Sequence, residues 1–585
     1  MIRSIEKSLV YLFIVSWYAM CVVGCIDSTL FVSPILSKML LANGCKVVML
    51  LILLTHIVVS RRKIDVTPSC LFILSWIIYV ILHGVFVCVE NYIQLSFVLF
   101  LLFPLVICQS LKTNLFNEKH IYNGVFLIVV IQIVWLLGQV VGLIDSNDSL
   151  YRLTGTSYNP NVTALCLMLS LPFLYIRFKD SSHVFVSLCV IVLSLVFVMV
   201  LKCRTAYIGL LCMFVCGIVQ RYHVKLRCKY GNLSKGKKTF GWLLVICLIL
   251  SFFWWMFIFK QDSSEGRMFI WKMVFSALAD NPLGSGYGLF QRNYNLFQID
   301  YFAKNHNEFM NSQITHSIWT SYNDYLEHSF QGGIISGVLL LVFYVMLTIS
   351  AFRKKSFFFP VLVAIVVMSC VNFITNTTLP SMFVSIIVAL ALEKECGSVR
   401  FKPVLTRGYV FLVSSVVVGY VTYNISMQTY SQYEFCKIQN QYEKDGCLNE
   451  NRLENISCTI GTSELFWSFC GDYYYGHNKI ARAIVCYEEA LKYVSDPTDY
   501  ISLAKCYEVI GDRRKSLFYS ELAYYAVPQS YQIKYLLMDR YIRYGMKKQA
   551  YKVAMDIIDK DVKIESPIVD GIKSKANEYI HDCDK

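Results

Sequence analysis

Two arginine motifs in this sequence have the residue types needed to hold a negatively charged group. Arg204 lies in a Lys-Cys-Arg-Thr segment between two apolar runs. Arg267 precedes Trp271 by four residues, so the two share one face of a helix. A guanidinium keeps its charge and matches phosphate oxygens with two parallel hydrogen bonds, which makes both arginines candidate phosphate contacts. The alternative is that Arg204 only anchors its helix at the membrane surface.

Groups that could handle an acceptor hydroxyl lie further along the chain. Asn323 and Asp324 stand just before an apolar run, where they either cap a helix or face a cavity at the membrane surface. His316 and His328 are candidate bases, although a lone loop histidine is more often simply exposed. The candidate substrate-binding residues are Asn159, Trp271, Arg292 and Tyr322.

Two turns rich in glycine and asparagine accompany these residues. Residues 155–161 read Gly-Thr-Ser-Tyr-Asn-Pro-Asn, which predicts a turn followed by a helix start. Residues 281–288 read Asn-Pro-Leu-Gly-Ser-Gly-Tyr-Gly, which predicts a tight turn. No Gly-Lys-Ser/Thr follows, so a nucleotide phosphate loop is not indicated. No paired carboxylates stand in these segments, so we expect neither a metal nor another cofactor.

Apolar runs of membrane-spanning length separate the motifs. Of the 585 residues, 56% are hydrophobic and 16% are charged, whereas a soluble protein carries about a quarter charged residues. We therefore predict an all-α, polytopic membrane helix bundle with about 12–13 transmembrane helices. The predicted spans are residues 8–26, 44–60, 68–89, 92–110, 121–143, 160–176, 183–202, 205–220, 239–259, 333–352, 358–376, 379–393 and 408–428.

The basic residues predict how these spans are oriented. The net charge of +14 does not indicate nucleic-acid binding, because the lysines and arginines lie between the apolar runs. With the N-terminus in the cytoplasm, every strong basic cluster falls on the cytoplasmic side, as the positive-inside rule requires. Two long segments then lie outside, residues 260–332 and everything after residue 428. A loop of about 70 residues between helices is usually functional.

The segment after residue 428 is charged, rich in tyrosine and repetitive. Tyr473, Tyr507 and Tyr541 are spaced by 34 residues, as are Gly511 and Gly545. This period resembles the tetratricopeptide repeat, although a generic helical bundle is the alternative. Stacked repeats offer a concave surface for a protein or peptide. The predicted domains are a membrane domain at 1–428, a linker at 429–462 and a tetratricopeptide-like domain at 463–570 with three repeats, the last degenerate.

The ordered motifs resemble the O-antigen ligase and polymerase family over about residues 150–340. The shared pieces, in order, are the Asn-Pro-Asn helix start, the Arg-Thr pair, Arg-x3-Trp with Asn-Pro-x-Gly-x-Gly, and Asn-x-Tyr-Leu with later glycines. Three positions depart from the pattern, because Cys203 replaces a serine, Tyr322 a histidine and Gln331 an acidic residue. Because this histidine is missing, the base could be His316, His328 or Asp324, or the protein could act without a base.

The resemblance implies a GT-C-like enzyme of the bacterial inner membrane. Such enzymes move a glycan from undecaprenyl pyrophosphate to an acceptor hydroxyl on the periplasmic side. A ligase would use a glycolipid acceptor, a polymerase the growing glycan, and a protein O-oligosaccharyltransferase a secreted protein. The expected partners are the lipid-linked glycan, one of these acceptors, membrane lipids and a protein on the repeats.

Two functions of other classes remain as alternatives. A lipid flippase or transporter predicts ionisable residues inside the spans, which here are nearly free of charge. A non-catalytic scaffold would only display the repeats. Assaying the purified protein with a lipid-linked glycan would separate an enzyme from both.

Overall fold

The computed structural model confirms the all-α class. It describes residues 2–27, 30–60, 65–87, 92–148, 150–180, 184–231, 261–312, 314, 316–394, 399–400, 405–446, 448–460, 463–562 and 566–584, with isolated positions between 232 and 260. The chain divides into two compact units. The membrane unit comprises Met1–Lys260, Tyr322–His328 and Ile335–Ile460, and the repeat unit comprises Gln261–Ser321, Ser329–Ile334 and Gly461–Lys585.

The membrane unit is built from apolar helices and one short strand pair. Its helices are α1 (Ile2–Val23), α2 (Pro34–Ser60), α3 (Pro68–Val87), α4 (Tyr92–Lys112), α5 (Glu118–Val141), α6 (Pro160–Asp180), α7 (Val184–Val200), α8 (Arg204–Gly231), the ends of α12 (Asp324–Arg353), α13 (Phe359–Ser369), α14 (Thr378–Glu393), α15 (Leu405–Asp445) and α16 (Glu450–Ile460). Strands β1 (Asp65–Val66) and β2 (Val399–Arg400) pair antiparallel.

The lengths of these helices identify a multi-pass membrane protein. Among the described residues, eight helices are long and apolar enough to cross a bilayer, and α7, α13 and α14 are shorter apolar helices. The predicted span at 239–259 lies outside the described residues except for isolated positions. The last predicted span, 408–428, falls within α15, which continues to Asp445. Part of the predicted linker is therefore helical.

Helix α2 begins ten residues before the predicted span at 44–60. Polar residues in its first half interrupt the apolar run, and the predicted span leaves out Lys38 and Asn43 although it includes Lys46. In the fold they are buried and paired, since Lys38 contacts Asp27 and Lys46 Nζ donates to Asn43 Oδ1 at 3.2 Å. A buried polar group that finds a partner does not end a membrane helix. The expectation of nearly uncharged spans therefore fails for α2.

The described residues of the repeat unit after Gly461 form three helix pairs and a final helix. The pairs are α17 (Glu464–Gly476) with α18 (Ile480–Ala490), α19 (Pro497–Val509) with α20 (Arg513–Ala526), and α21 (Tyr531–Arg543) with α22 (Lys547–Asp559), followed by α23 (Pro567–Asp584). Asn478, Gly511 and Gly545 occupy the turns inside the three pairs with left-handed backbone angles. Asparagine and glycine tolerate this conformation best, so the turn chemistry repeats with the helices.

The segment at 260–332 is more regular than its polar composition indicated. It contains α9 (Gln261–Asp280), α10 (Phe290–Lys304) and α11 (His306–Asn311), and α12 begins before its end. Buried aromatic residues such as Phe302 and Phe309 belong to the core of the repeat unit. The helical pattern escaped prediction because these helices bury isolated aromatic side chains rather than a long apolar stripe.

Candidate functional site

The turn at 155–161 starts α6 at one end of the membrane unit. Asn159 accepts a hydrogen bond from Asn161 N through its side chain, at 2.9 Å, and from Val162 N through its carbonyl, at 3.1 Å. Pro160 occupies the first helical position, where its missing N–H costs nothing. Gly155 has φ 64, and a Cβ there would lie 2.7 Å from Gln132 Oε1. The conformation of the turn therefore explains why glycine, asparagine and proline occupy these positions.

An ion pair between buried Lys38 and partly exposed Asp27 adjoins this turn and was not predicted from the sequence. Lys38 Nζ lies 2.8 Å from Asp27 Oδ1 and donates a short hydrogen bond to Thr156 O. Tyr158 donates to the other oxygen of Asp27 at 3.2 Å. Ionisable residues within membrane segments commonly mark functional sites. The available signal was a lysine beside an apolar run with an aspartate eleven residues earlier.

Arg204 begins α8 next to the same turn. Cys203 Sγ contacts Asn161 O at 4.0 Å, which brings the Arg204 motif to the first turn of α6. Lys202 has φ 49, a left-handed conformation that costs a non-glycine residue about 1–3 kcal/mol. The helix start of Arg204 is therefore held by a strained turn. Its side chain is half-buried.

Asn323 and Asp324 begin α12 and hold the loop that precedes α14. Asn323 caps the helix by accepting from Leu326 N at 3.1 Å, and its amide donates to Cys370 O at 2.8 Å. Asp324 is fully buried, and its two oxygens accept from Ile374 N and from Thr375 N and Oγ1. A carboxylate held this way fixes the loop at residues 374–375 against the start of α12.

Tyr322 and His328 flank this helix start. Tyr322 has φ 55 and packs edge-on against Phe373, with ring centroids 5.4 Å apart. His328 is buried, contacts Thr375 Oγ1 at 3.2 Å and lies against Phe97 at 4.5 Å. Tyrosine in the place of the family histidine thus adopts a conformation that few residues of its size adopt.

These helix starts lie at one end of the membrane unit. Tyr158 reaches Asp27, just past the end of α1. Gly24, in the last turn before Asp27, approaches Leu379 of α14 so closely that a Cβ would lie 3.1 Å from its side chain. The loop before α14 is the one that Asp324 holds. Lys38, Asn159, Arg204, Tyr322, Asn323 and Asp324 therefore belong to one end of the bundle.

In the repeat unit, Arg267 and Trp271 share a face of α9. Trp271 Nε1 donates to Ser321 O at 2.9 Å, which ties this helix to the residue before Tyr322 in the chain. Arg267 is half-buried, one turn earlier. Lys272 binds Tyr301 OH at 2.8 Å and Glu308 at 2.9 Å, and these hydrogen bonds raise the pKa of Lys272. Helix α9 is thus fixed at both Trp271 and Lys272.

The glycine-rich turn at 281–288 packs against the break in α12. Gly286 N donates to Gln331 O at 2.8 Å, and Gly288 N donates to Gln331 Oε1 at 2.7 Å. Gly332 and Gly333 interrupt the helical angles of α12, and Gly333 has φ 77. The amides of Gly286 and Gly288 donate to Gln331 of the same chain, so this turn does not offer them to a bound anion. Gln331 can replace the acidic residue of the family pattern at this position, because its side-chain oxygen accepts the hydrogen bond from Gly288 N.

Replacing Gly284 by alanine is expected to lower the yield of folded protein. Gly284 has φ 83, and a Cβ there would lie 2.3 Å from Gly333 N. Left-handed backbone alone costs an alanine about 1–2 kcal/mol, and the backbone clash adds to this. Gly266→Ala is the matched control, because nothing lies within 4 Å of that position. Size-exclusion chromatography in detergent measures both, and equal yields would contradict the packing.

Arg292 and His316 complete the predicted site residues. Arg292 Nε donates to Leu491 O at 3.0 Å and NH1 to Asn293 Oδ1 at 2.8 Å, so its guanidinium holds the repeats. His316 is exposed, in the segment before Ser321. Within the described part of the chain, no three or more His, Cys, Asp or Glu side chains cluster as a metal site would need.

Comparisons with known proteins bear on the central part of the chain. A search of curated proteins gives no match. Among solved structures, the crystal structure of APC/C hetero-tetramer Cut9-Hcn1 matches with 9% identity over 92% of this chain and 90% of that chain. Its TM-score is 0.21, too low to support an argument about the fold.

The family comparison confirms the resemblance seen in the motifs. Residues 189–341 match the family described as O-antigen ligase. The matched range includes Arg204, Arg267, Trp271 and Asn323, while Asn159 lies outside it. The match supports a role in lipid-linked glycan transfer or ligation and agrees with the apolar helices of the membrane unit. Residues 189–341 of this multi-pass membrane protein are therefore similar to the O-antigen ligase family.

Proposed function

We propose that the chain transfers a glycan from undecaprenyl pyrophosphate to an acceptor hydroxyl on the periplasmic face of the bacterial inner membrane. One observation carries the proposal beyond the family match. Lys38 contacts the turn that starts α6 through Thr156 O, and Arg204 begins α8 beside that turn, because its neighbour Cys203 contacts Asn161 O. Lys38 is already paired with Asp27, so Arg204 is the residue at this end of the membrane bundle whose guanidinium suits the pyrophosphate of a lipid carrier.

The chemistry requires little beyond charge stabilisation and positioning. The bond between the sugar and the pyrophosphate breaks, and negative charge develops on the leaving phosphate oxygen. Arginine donors placed where charge develops lower the barrier most. We assign this role to Arg204 in the membrane unit and, from its sequence motif, to Arg267 in the repeat unit. Trp271 fixes the Arg267 helix by bonding Ser321 O.

A base would take the proton of the acceptor hydroxyl as the new glycosidic bond forms. Asp324 has both oxygens engaged by the loop before α14, and His328 lies buried against Phe97. Exposed His316 therefore becomes the first candidate base, with no protein base as the alternative. Asn323 and Tyr322 would shape the site through the helix start rather than by proton transfer.

The acceptor separates three forms of this function. We place the ligase-like form, with a glycolipid acceptor, first. The polymerase form, with a glycan acceptor, and the protein O-oligosaccharyltransferase form follow. Purified protein incubated with undecaprenyl pyrophosphate-linked glycan and each acceptor class tests the proposal, and transfer to one class identifies the form. Translocation without transfer would indicate a flippase, and neither event a scaffold.

We also expect the C-terminus to lie in the periplasm. The basic segments around Lys112, Arg177 and Arg353 then lie in the cytoplasm, as the positive-inside rule requires. Alkaline phosphatase fused after residue 585 should be active, while a fluorescent protein that matures only in the cytoplasm should stay dark. A bright fluorescent fusion with inactive phosphatase would reverse the orientation.

A further inference from the structure

One face of the repeat unit is covered by a segment of its own chain. We call this face the loop-binding surface; it consists of Tyr524, Tyr525, Lys534, Asp556 and Lys560. The segment that covers it includes α11 and the residues on either side. The two parts share one buried apolar cluster, in which residues of α10 and α11 pack with residues of α20 to α23.

Phe309 is the apolar anchor of this contact. Its side chain is fully buried, with ring centroids 4.7 Å from Tyr524 and 5.4 Å from Tyr525. The ammonium groups of Lys534 and Lys560 lie 5.5 and 5.9 Å from the Phe309 ring, within the range of cation–π attraction. A buried aromatic side chain in a pocket of this kind commonly dominates the energy of a protein contact.

Lys560 caps the end of α11. Its Nζ donates to the carbonyls of Phe309 at 3.1 Å and Ser312 at 2.8 Å, and more closely to that of Met310. An ammonium has three N–H donors, and three carbonyls at a helix end take them. Burial lowers the pKa of Lys560 to about 8. The side chain thus remains largely charged at neutral pH, which suits the negative end of a helix.

Other polar contacts fix the register of the segment on this surface. His306 Nε2 lies 3.1 Å from Asp556 Oδ1, while Tyr524 donates to the other oxygen of Asp556. The backbone of Gln529 donates to Ile314 O at 3.2 Å. Because these contacts lie on both sides of Phe309 in the chain, they fix the position of α11 on the loop-binding surface.

The same cluster reaches the helix that carries Arg267. Phe269, two residues after Arg267, stacks on Phe302 with ring centroids 5.5 Å apart. Lys272 of α9 binds Glu308 of α11 at 2.9 Å. Both residues lie within five positions of Arg267, so the seating of α11 also sets the position of α9. A displacement of about 1 Å in catalytic geometry can cost on the order of 10²-fold in rate.

We propose that the loop-binding surface holds α11 of the same chain rather than a separate protein, and that Lys560 is a positioning residue that acts on transfer through Arg267. The second part rests on the proposed function. The repeats then serve to hold the loop that presents Arg267. This differs from the expectation, drawn from the repeat pattern, of a protein partner at the repeats.

The test compares Lys560→Met with Lys573→Met in the full-length protein. Lys573 Nζ also donates to backbone carbonyls, those of Ile558 and Lys560, but it touches no loop residue among its described bonds. Hydrogen–deuterium exchange should become at least about tenfold faster at the α11 amides in Lys560→Met, because the helix end loses its cap. Lys573→Met should leave exchange at α11 unchanged.

Transfer should fall roughly tenfold to a hundredfold in Lys560→Met and little in Lys573→Met, with both normalised to the monodisperse protein peak. Positioning is separated from general damage by repeating Lys560→Met in an Arg267→Lys background. If Lys560 acts through Arg267, adding Lys560→Met to the Arg267→Lys protein should lower transfer by less than about twofold. If Lys560→Met instead damages the protein generally, the fold reduction in transfer of the double variant should be the product of the reductions in the two single variants. Phe309→Leu provides a milder variant if Lys560→Met folds poorly.

Each result has a defined consequence. Unchanged exchange at α11 in Lys560→Met would overturn the capping contact. Faster exchange with unchanged transfer, or multiplied losses in the double variant, would overturn the positioning role. Failure of the wild-type protein to transfer any lipid-linked glycan would refute the proposed function, while exchange at α11 would still decide whether the surface holds this helix.

Discussion

Arg204→Lys is expected to reduce glycan transfer by about 10²–10³-fold at matched membrane abundance, as the loss of one donor to a developing anion does in other enzymes. Lysine keeps the charge but lacks the planar fork that binds two phosphate oxygens together. Arg267→Lys should behave in the same way. An arginine that only anchors a helix predicts the reverse, because lysine also reaches the membrane surface.

Arg152→Lys is the matched control for this prediction. Arg152 precedes the turn at 155–161, is exposed, and donates to Val140 O at 3.3 Å. Lysine can replace that single contact, so transfer should stay within about twofold of wild type. Transfer is measured with a radiolabelled lipid-linked glycan. Near-wild-type rates for both Arg204→Lys and Arg267→Lys would remove the phosphate contacts from the mechanism.

A chain truncated after Ile460 is expected to insert into the membrane but to lose transfer. The truncation removes the loop-binding surface and uncovers Phe302 and Phe309, which are fully buried in the intact chain. Burial of an aromatic side chain stabilises by about 1.5–3 kcal/mol, so the helices at 261–321 should lose their fixed positions. Membrane fractionation reports insertion, and transfer to a small soluble acceptor reports chemistry.

The outcome distinguishes two roles for the repeats. If they only recruited an acceptor protein, the truncated chain would still transfer glycan to a small acceptor at the wild-type rate and would lose only its preference. Full activity of the truncated chain would therefore contradict the loop-holding role. Restored activity after separate expression of the repeats would support it.

The helical framework was predictable because its signals are local. Long apolar runs correctly predicted most of the membrane helices. A period near 34 predicted the helical repeats, including the turn residues Gly511 and Gly545. Asn478 in the first turn was not part of the predicted pattern, although it adopts the same backbone conformation. The early start of α2 was missed because a composition pattern does not reveal that buried Lys38 pairs with Asp27.

The candidate site was predictable in its motifs but not in its contacts. The sequence showed that Asn323 and Asp324 precede a helix, yet only the fold shows that they hold the loop near Thr375. The contact between Phe309 and Lys560 joins residues 251 positions apart and leaves no local pattern. Arg292 was predicted to bind substrate, whereas two of its nitrogens donate to protein carbonyl groups.

The distance along the chain between Phe309 and Lys560 has a consequence for biosynthesis. Ribosomes add about 5–20 residues per second, so Lys560, 251 positions after Phe309, is added roughly 12–50 s later. During that interval the helices from α12 to α15 are made, while the aromatic residues of α10 and α11 still lack their final partner. An assembly step that depends on the last-made helices leaves these apolar residues open to misassembly until synthesis ends.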